Sequence, residues 1–261
     1  MREMILHHLS GHPWADLIQY HEVIDSTNIC AKRLACQGAP EGTIVIADHQ
    51  TCGRGRLGRS FSSPSGMGIY LSVILRPQCP PEELMHLTCA AGLAACQAVD
   101  SHQDGTTHIK WTNDLIRDRK KLGGILTELC VDSNNLVDWA VVGIGINCCQ
   151  RRYQFPKELR NMACSLGMNR QEIPGLIAAL ICSLYHMRQG LFTEKEAMME
   201  SFCQRCITIG QDISIVKPDQ VRHGKAIGVN GDGGLLVEFP DGHTESITSG
   251  EVSIRGMYGY L

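Results

Sequence analysis

The chain has 261 residues, of which 43% are hydrophobic and 20% charged, the composition of an ordinary globular protein that can bury a sizeable core. Its formal net charge of −3 gives no overall basic field of the kind that marks many nucleic-acid-binding proteins, and no apolar run is long enough for a transmembrane helix. Thirteen cysteines, an odd number scattered through apolar positions, favour free thiols in a reducing compartment, so we expect a cytoplasmic protein.

The hydrophobic pattern predicts helices and strands that intermingle along the chain. A near-continuous apolar run at residues 68 to 75 indicates a strand covered on both faces, and the polar turn at 132 to 135 predicts an antiparallel hairpin. Helix-start signals and periodicity of 3.6 residues predict the helices. The expected helices cover residues 27–36, the segment opening at 80–83, 171–188 and 194–206, and the expected strands cover 43–47, 68–75, 107–111, 124–131 and 137–146.

The composition changes after residue 210. Short apolar runs at 212–216, 224–229, 235–239 and 251–255 are separated by turns rich in glycine and aspartate. This pattern is typical of a small closed β-barrel. We therefore expect two domains, covering residues 1–210 and 211–261.

An arginine-glycine segment is the most informative feature of the chain. Residues 50 to 59, QTCGRGRLGR, place Arg54, Arg56 and Arg59 among glycines directly after a predicted strand. Glycines such as Gly53 and Gly55 let backbone N–H groups form a concave anion site, and arginine adds planar cationic donors. The segment is either an ordinary basic surface loop or a polyanion-binding loop that stays mobile until its ligand arrives.

Four further motifs follow a fixed order around this loop. Each is weak alone, because Ser/Thr/Asn clusters usually cap helices, and strand-flanking lysines and glycines are common. Together they bring hydroxyl, amide, carboxylate and ammonium groups to the ends of predicted elements. The motifs are DSTN at 25–28, KWTND at 110–114, KLGGILTE at 121–128 and GIGIN at 143–147.

In this order and spacing, the motifs resemble the catalytic domain of the biotin protein ligases, from about residue 21 to residue 255. The resemblance implies an α+β fold: a mixed β-sheet with flanking helices, as in class II aminoacyl-tRNA synthetases and biotin ligases, then a small SH3-like barrel. It also implies a two-step reaction. The carboxylate of biotin attacks the α-phosphate of ATP to give biotinyl-5'-AMP and pyrophosphate, and a lysine of a biotin carboxyl carrier protein then displaces AMP.

The residue types suit this chemistry. A carboxylate that attacks a triphosphate brings two anions together, so the enzyme needs cations and oriented donors. The family match assigns these catalytic cations to Arg54, Arg56, Arg59 and Lys121, with Lys121 beside the biotin carboxylate and the adenylate linkage.

The match also distributes the binding roles. Biotin is expected to contact the arginine-loop residues Gly53, Arg54, Gly55 and Arg56, together with Ser26, Thr27, Asn28, Gln50, Phe61, Lys121 and Gly124. ATP or the adenylate is expected to contact Arg56, Arg59, Asn113, Lys121 and Asn147, with Gly143 and Gly145 lying against the ligand. Asp114 is the candidate Mg²⁺ carboxylate, and the less favoured alternative is that Asn113 and Asp114 merely form a turn.

The sequence departs from the family pattern at several positions. Thr112 replaces the usual proline, and Phe61 replaces the usual tryptophan and lacks its indole N–H. Cys148-Cys149 and Cys164 also stand at positions where the family has other residues. None of these changes removes a cation from the predicted reacting centre.

Partners follow from the same comparison. Ser26 comes too early for an N-terminal winged helix-turn-helix, so we expect no nucleic-acid partner and no operator binding, and no membrane partner. A homodimer is compatible with the sequence but not required by it. A lipoate-type ligase and a non-catalytic binder of nucleic acid or phosphoprotein are the alternatives, and the arginine-glycine loop and the net charge disfavour them respectively.

Overall fold

A computed structural model describes residues 1–217, 220–248 and 251–254. The resemblance to the biotin protein ligases extends to residue 255, and within its last part Ser249, Gly250 and Arg255 lie outside the described ranges. The part of the predicted second domain beyond residue 254 lies outside them as well.

A seven-stranded mixed sheet forms the centre of the larger part of the chain. The first two strands are parallel, and every other neighbouring pair is antiparallel. The strands are β1 (Ile18–Ile24), β2 (Ile44–Gln50), β3 (Gly68–Leu75), β4 (His108–Lys110), β5 (Asp114–Arg117), β6 (Lys120–Val131) and β7 (Val137–Asn147). Their order across the sheet is β1-β2-β3-β7-β6-β5-β4.

Helices cover both faces of this sheet. They are α1 (Arg2–His8), α2 (Thr27–Cys36), α3 (Leu87–Asp100), α4 (Ile173–Gly190) and α5 (Lys195–Arg205). Helix α2 packs on one face, where Val45, Ile74 and Trp139 form a small apolar cluster. Helices α3 and α4 cover the other face and, with α1 and α5, enclose the main core. Strand β3 is therefore buried along its whole length, which confirms the two-sided coverage predicted from its apolar run.

The C-terminal part forms a second sheet of five antiparallel strands. These are β8 (Asp212–Lys217), β9 (Gln220–Val229), β10 (Leu235–Glu238), β11 (Thr244–Ile247) and β12 (Glu251–Ile254), in the order β11-β10-β9-β8-β12. This arrangement is consistent with the expected SH3-like fold. Its apolar residues Ile213, Leu235 and Val237 join the main core, so the two parts pack against each other.

Most predicted elements are present, with differences at their ends. The helix over residues 27–36 and the β6–β7 hairpin are confirmed. The helix expected to open at residue 80 is instead a 3-10 turn, Pro81–Leu84, with α3 starting at Leu87 after the buried His86. His86, which lies between the two helical segments, has its Nε2 2.8 Å from the Leu191 carbonyl oxygen.

Four elements have no counterpart in the sequence prediction: α1, β1, β5 and β11. Strand β1 is an edge strand in which every residue after the buried Ile18 is exposed or half-buried, without regular alternation, and β5 and β11 have only four residues each. Such short or half-polar segments carry little hydrophobic periodicity, because only part of each face is buried. The structure supplies the missing information through strand pairing.

Candidate active site

A cavity opens at one end of the central sheet, between β2, β6, β7, the arginine-glycine loop and the loop that follows β4. All but two of the predicted site residues line it. These are Ser26, Thr27, Asn28, Gln50, Arg54, Gly55, Arg56, Arg59, Phe61, Asn113, Asp114, Lys121 and Gly124. Residues nearly 100 positions apart therefore meet at one place, which sequence spacing alone does not show.

The polar end of the cavity is built from the start of α2 and the end of β2. The backbone N–H and the hydroxyl of Thr27 both donate to Gln50 Oε1, at 2.8 and 3.2 Å. Gln50 Nε2 donates in turn to Ser63 Oγ at 2.8 Å. The carboxamide of Gln50 is thus held in one orientation, and its surroundings can present fixed donors and acceptors to a polar ring.

Asn28 lies on a hydrogen-bonded network behind this polar end. Its Oδ1 accepts from Ser72 Oγ at 2.6 Å, and its Nδ2 donates to the Leu126 carbonyl oxygen at 3.2 Å and to Glu128 Oε2 at 3.0 Å. Glu128 also pairs with Lys32 at 2.6 Å. These bonds use both amide hydrogens of Asn28, so its geometry suits positioning of the cavity wall more than donation to a ligand.

The same network shifts the ionisation of Glu128. Burial opposes its charge, but hydrogen bonds from Lys32 and Asn28 and the charges of Lys32 and Arg54 outweigh burial. The pKa of Glu128 therefore lies below its ordinary value. Glu128 stays a carboxylate near neutral pH and fixes the network beneath the cavity.

The arginine-glycine loop forms a tight hairpin over the cavity. The Gly55 N–H donates to the Arg59 carbonyl oxygen at 2.8 Å, and Arg54 pairs with Ser60 in an isolated antiparallel bridge. Arg56 Nη1 donates to Thr112 Oγ1 at 2.5 Å and to Asn113 Oδ1 at 3.2 Å. The loop is thus connected to the segment after β4. Whether ligand binding changes its order stays a prediction.

Lys121 and Asp114 face each other across β5 and β6. Lys121 Nζ lies 2.6 Å from Asp114 Oδ1, and Asp114 pairs in register with Gly124. The backbone of Lys121 is held on its other side, since its N–H donates to the Met162 carbonyl oxygen and its own carbonyl accepts from the Cys164 N–H. A carboxylate substrate would compete with Asp114 for the Lys121 ammonium group.

Asn147 does not line this cavity. Its side chain is largely buried at the end of β7, where Nδ2 donates to the Cys164 carbonyl oxygen at 3.1 Å and Oδ1 accepts from Gln150 Nε2 at 3.2 Å. Because Cys164 is bonded to the backbone of Lys121, Asn147 supports the strand segment beside Lys121. Its predicted adenylate contact stays a prediction.

Gly53 also lies behind the cavity surface. A Cβ atom there would come within 2.3 Å of the Phe61 carbonyl oxygen and 2.6 Å of Ser63 Oγ. The Gly53 carbonyl oxygen accepts from the Phe61 N–H at 2.8 Å. Glycine at this position therefore allows the two arms of the loop to approach each other. Its predicted contact with biotin stays a prediction.

The glycines of β6 and β7 shape the cavity in different ways. A Cβ at Gly143 would lie 1.9 Å from Asn28 Oδ1, and one at Gly145 would lie 2.6 Å from the Phe61 ring. These two glycines line the cavity, as expected, but the close approach they allow is to protein side chains. A Cβ at Gly124 meets only atoms at 3.5 Å or beyond, so Gly124 leaves space that a ligand can occupy.

Several lining residues were missed by the sequence analysis. They are Leu57, Ser60, Lys110, Trp111, Leu126, Ile144 and Val252. Lys110 pairs in register with Asp114 on the neighbouring strand, and its place in the KWTND motif was the available signal. The indole N–H of Trp111 donates to the Gly233 carbonyl oxygen at 2.8 Å, which links the cavity to the C-terminal sheet. Val252 lies in the C-terminal segment that shares the resemblance, but nothing in the sequence placed it at the cavity, which it reaches only through packing of the C-terminal sheet.

The charges that line the cavity are mostly positive. Arg54, Arg56, Arg59, Lys110 and Lys121 are its cations, and Asp114 is the one carboxylate among the described lining residues. Such a surface suits an anionic ligand with several negative charges.

The cavity also contains a side chain that could bind Mg²⁺. The described residues contain no group of three or more His, Cys, Asp or Glu placed to hold a metal ion by itself. One carboxylate together with phosphate oxygens is nevertheless a donor set that Mg²⁺ accepts. Asp114 would contribute the protein ligand, and bound Mg²⁺ would neutralise phosphate charge during attack. The metal role of Asp114 stays a prediction.

Comparisons with known proteins agree with one another. The Biotin/lipoate A/B protein ligase family matches residues 20–147, and the Biotin protein ligase C terminal domain matches residues 208–255. Among curated relatives, the Bifunctional ligase/repressor BirA of Bacillus subtilis is 36% identical over 230 residues, which cover 85% of this chain and 70% of that protein. The Biotin--[acetyl-CoA-carboxylase] ligase of Mycobacterium tuberculosis is 29% identical, over 87% of this chain and 85% of its own.

Solved structures show the same similarity. The biotin protein ligase from Aquifex aeolicus in complex with biotin and ATP superposes with a TM-score of 0.75 and 29% identity, covering 91% of this chain and 98% of its own. The biotin protein ligase of Leishmania major in complex with biotinyl-5-AMP gives a TM-score of 0.56 and 26% identity, covering 89% of this chain and 98% of its own. No helix among the described residues is long and apolar enough to cross a membrane.

Proposed function

The chain belongs to the biotin protein ligase family and is a biotin ligase that uses biotin and ATP, and we propose that it transfers biotin to one lysine of the biotin carboxyl carrier protein of a biotin-dependent carboxylase. One observation carries the proposal. A fixed polar end around Gln50 and a cationic end around Arg56 and Lys121 belong to the same cavity. A ligand with a polar ring and a carboxylate tail can place one group at each end of this cavity.

The first step is adenylate formation. The biotin carboxylate oxygen forms a bond to the α-phosphorus of ATP, the bond to the bridging oxygen breaks, and pyrophosphate leaves with its electron pair. Lys121 would release Asp114 and bind the attacking carboxylate of biotin in its place. Arg54, Arg56 and Arg59 would bind the phosphates, where their charge reduces the repulsion between the two anions.

The second step is transfer. The neutral amine of the carrier lysine attacks the acyl carbon of biotinyl-5'-AMP, AMP leaves as a phosphate monoester, and the amine loses a proton to solvent. AMP is a good leaving group because its phosphate carries negative charge that the same cations bind. We place the biotin ring at Ser26, Thr27 and Gln50, with the aliphatic chain beside Gly124 and the Phe61 ring.

The site geometry favours biotin over lipoate. The Thr27–Gln50–Ser63 bonds hold a polar wall in place that can exchange hydrogen bonds with the N–H and C=O groups of a ureido ring, whereas a dithiolane ring has no such groups to offer. The match of residues 208–255 to the C-terminal domain of biotin protein ligases supports the same choice.

We also propose that the described residues do not bind an operator. Residues 1–17 form the short helix α1 and a 3-10 turn, Ala15–Leu17, and their side chains Ile5, Leu9 and Trp14 are buried in the core. This segment is not a winged helix-turn-helix.

The thirteen cysteines are all free. Free thiols support the proposal of a cytoplasmic location. Homodimer formation also stays a proposal.

One assay tests the proposed function. The enzyme is incubated with MgATP, an apo carrier domain, and either labelled biotin or labelled lipoate. We expect biotin to be attached to the carrier, with one AMP released per biotin and no attachment to a carrier whose target lysine is replaced by arginine. Attachment of lipoate alone, or of label to the arginine carrier at the same rate, would contradict the proposal.

A further inference from the structure

Thr112 provides Arg56 with a hydrogen-bond acceptor that a proline cannot provide. Arg56 Nη1 lies 2.5 Å from Thr112 Oγ1, the shorter of its two bonds to this segment. We propose that Thr112 is a positioning residue, which holds Arg56 over the cavity and thereby retains biotinyl-5'-AMP until a carrier arrives. The inference concerns this chain's own departure from the family pattern, and its second half rests on the proposed function.

The acceptors beneath Arg56 are rigid. Asn113 is joined to β6 by two hydrogen bonds: its Nδ2 donates to the Ile125 carbonyl oxygen at 3.0 Å, and its carbonyl oxygen accepts from the Ile125 N–H at 2.8 Å. The backbone N–H of the preceding residue, Trp111, donates a hydrogen bond to Thr208 Oγ1 at 2.9 Å. Thr112 therefore stands between two fixed neighbours, which hold its backbone in place beneath Arg56.

Arg56 itself comes from a part of the chain that has less support. The hairpin of the arginine-glycine loop has Leu57 at its tip, with 71% of its surface exposed and a φ of +54°. The bonds of Arg56 connect this tip to the segment after β4. A hydrogen bond from a charged guanidinium group is stronger than a neutral one, so loss of the Thr112 bond should leave the tip held only by the longer Asn113 contact and loosen it.

The position of the contact explains why retention should depend on it. Arg56 and Ile125 line both the main cavity and a second cavity beside it, and Thr112 lines the second together with Asp232 and Gly233. The Arg56–Thr112 bond lies at the boundary between the two. If it breaks, Arg56 can turn away and water gains a path to the mixed anhydride, whose hydrolysis returns biotin and AMP.

The test compares two substitutions at one position. Thr112→Val keeps the shape of the side chain but removes the acceptor, whereas Thr112→Ser keeps the acceptor. Two quantities are measured: amide hydrogen exchange over residues 52–59 without ligand, and the lifetime of biotinyl-5'-AMP on enzyme loaded with biotin and ATP in the absence of carrier. Thr88→Val is the control, because it removes a threonine hydroxyl from the second cavity without touching Arg56.

We expect Thr112→Val to shorten the adenylate lifetime about tenfold, the effect of losing one hydrogen bond to a charged group, and to speed exchange in the loop. Thr112→Ser and Thr88→Val should match the wild type within about twofold, a margin small against that tenfold effect. A Thr112→Val enzyme with wild-type exchange and lifetime would overturn the proposal.

The two proposals fail in different ways. If the wild-type enzyme forms no adenylate from biotin and ATP, the proposed function fails, and the exchange measurement still decides whether Thr112 anchors Arg56. If the wild type forms and retains the adenylate and all three variants do the same, only the anchoring role fails. Thermal melting of each variant separates loss of the anchor from loss of the fold.

Discussion

Replacing Lys121 by methionine should separate the catalytic value of its charge from its structural value. The ammonium group lies 2.6 Å from Asp114 Oδ1, but 39% of the lysine side chain is exposed. An ion pair this accessible to solvent contributes at most about 1 kcal/mol to stability, because water screens it. For a chain of this size that corresponds to a fall in melting temperature of about 2–4 °C.

The expected effect on catalysis is much larger. A single oriented donor or cation at a site of developing negative charge typically stabilises the transition state by about 2.7–4 kcal/mol, or about 100- to 1000-fold in rate. We therefore expect Lys121→Met to slow biotin-dependent exchange of pyrophosphate into ATP by this factor. The exchange assay reports adenylate formation alone, without the carrier.

Lys120→Met is the matched control. Lys120 is the neighbour of Lys121 on β6, so its side chain points to the opposite face, and it does not line the cavity. The Lys120→Met enzyme should therefore keep the adenylation rate and the melting temperature of the wild type. A Lys121→Met enzyme that keeps adenylation within about threefold of wild type would refute the electrostatic role, because even the lower end of the expected range is far greater. An equally large loss in Lys120→Met would show that the effect is not specific to the site.

Three further predictions concern the wall of the site and its link to the C-terminal sheet. Gly143→Ala should lower stability by about 1–3 kcal/mol and raise the KM for biotin, because the new Cβ would stand 1.9 Å from Asn28 Oδ1 and force that side chain off its partners. Glu128→Gln should lower the melting temperature more at pH 7 than at pH 3: the pKa of Glu128 is below its ordinary value in the folded protein, so its stabilising contribution is present above the unfolded-state pKa and is lost as the pH falls through the folded value. Trp111→Phe should cost about 1 kcal/mol through loss of the bond to the Gly233 carbonyl oxygen, and limited proteolysis should then release the C-terminal sheet more readily.

Two of these predictions have a control variant within the chain, and the third is checked by its pH dependence. Gly228→Ala adds the same methyl group where the nearest atom is Leu236 Cδ1 at 3.6 Å, so it should be tolerated. Trp139→Phe changes another buried tryptophan, away from the C-terminal sheet, and should not speed its release. A Glu128→Gln protein with the same loss of stability at pH 3 and pH 7 would contradict the assigned ionisation.

The long, strongly patterned elements could be predicted from the sequence. The helix at 27–36 carried an N-cap residue and apolar periodicity, and the apolar run at 68–75 was long enough to indicate a strand covered on both sides. The hydrophobic pattern did not indicate the elements whose side chains are only partly buried. The edge strand β1 exposes Val23 to 61%, and its parallel pairing with β2 depends on residues about 26 positions apart. Such long-range pairing leaves no local signal.

Prediction of the site depended on residue chemistry. The cations Arg54, Arg56, Arg59 and Lys121 stood in motifs whose order indicated an anion-binding enzyme, and all four line the cavity. The motifs do not distinguish residues that face the cavity from residues that support its wall. Asn28 and Asn147 were both expected to contact ligand, but their amides are engaged in hydrogen bonds within the protein.

The sequence by itself determined the family, the reaction class and the cationic residues, because these depend on which chemical groups the chain carries and in what order. Only the tertiary structure decided which groups meet. It joined Thr112 to Arg56, and it paired Lys121 with Asp114 across two strands. It also brought Val252 of the C-terminal sheet to the cavity. Hydrogen bonds and ion pairs require atoms within a few ångströms of each other, and for residues far apart in the chain that proximity exists only after the sheet and the two parts of the protein have packed.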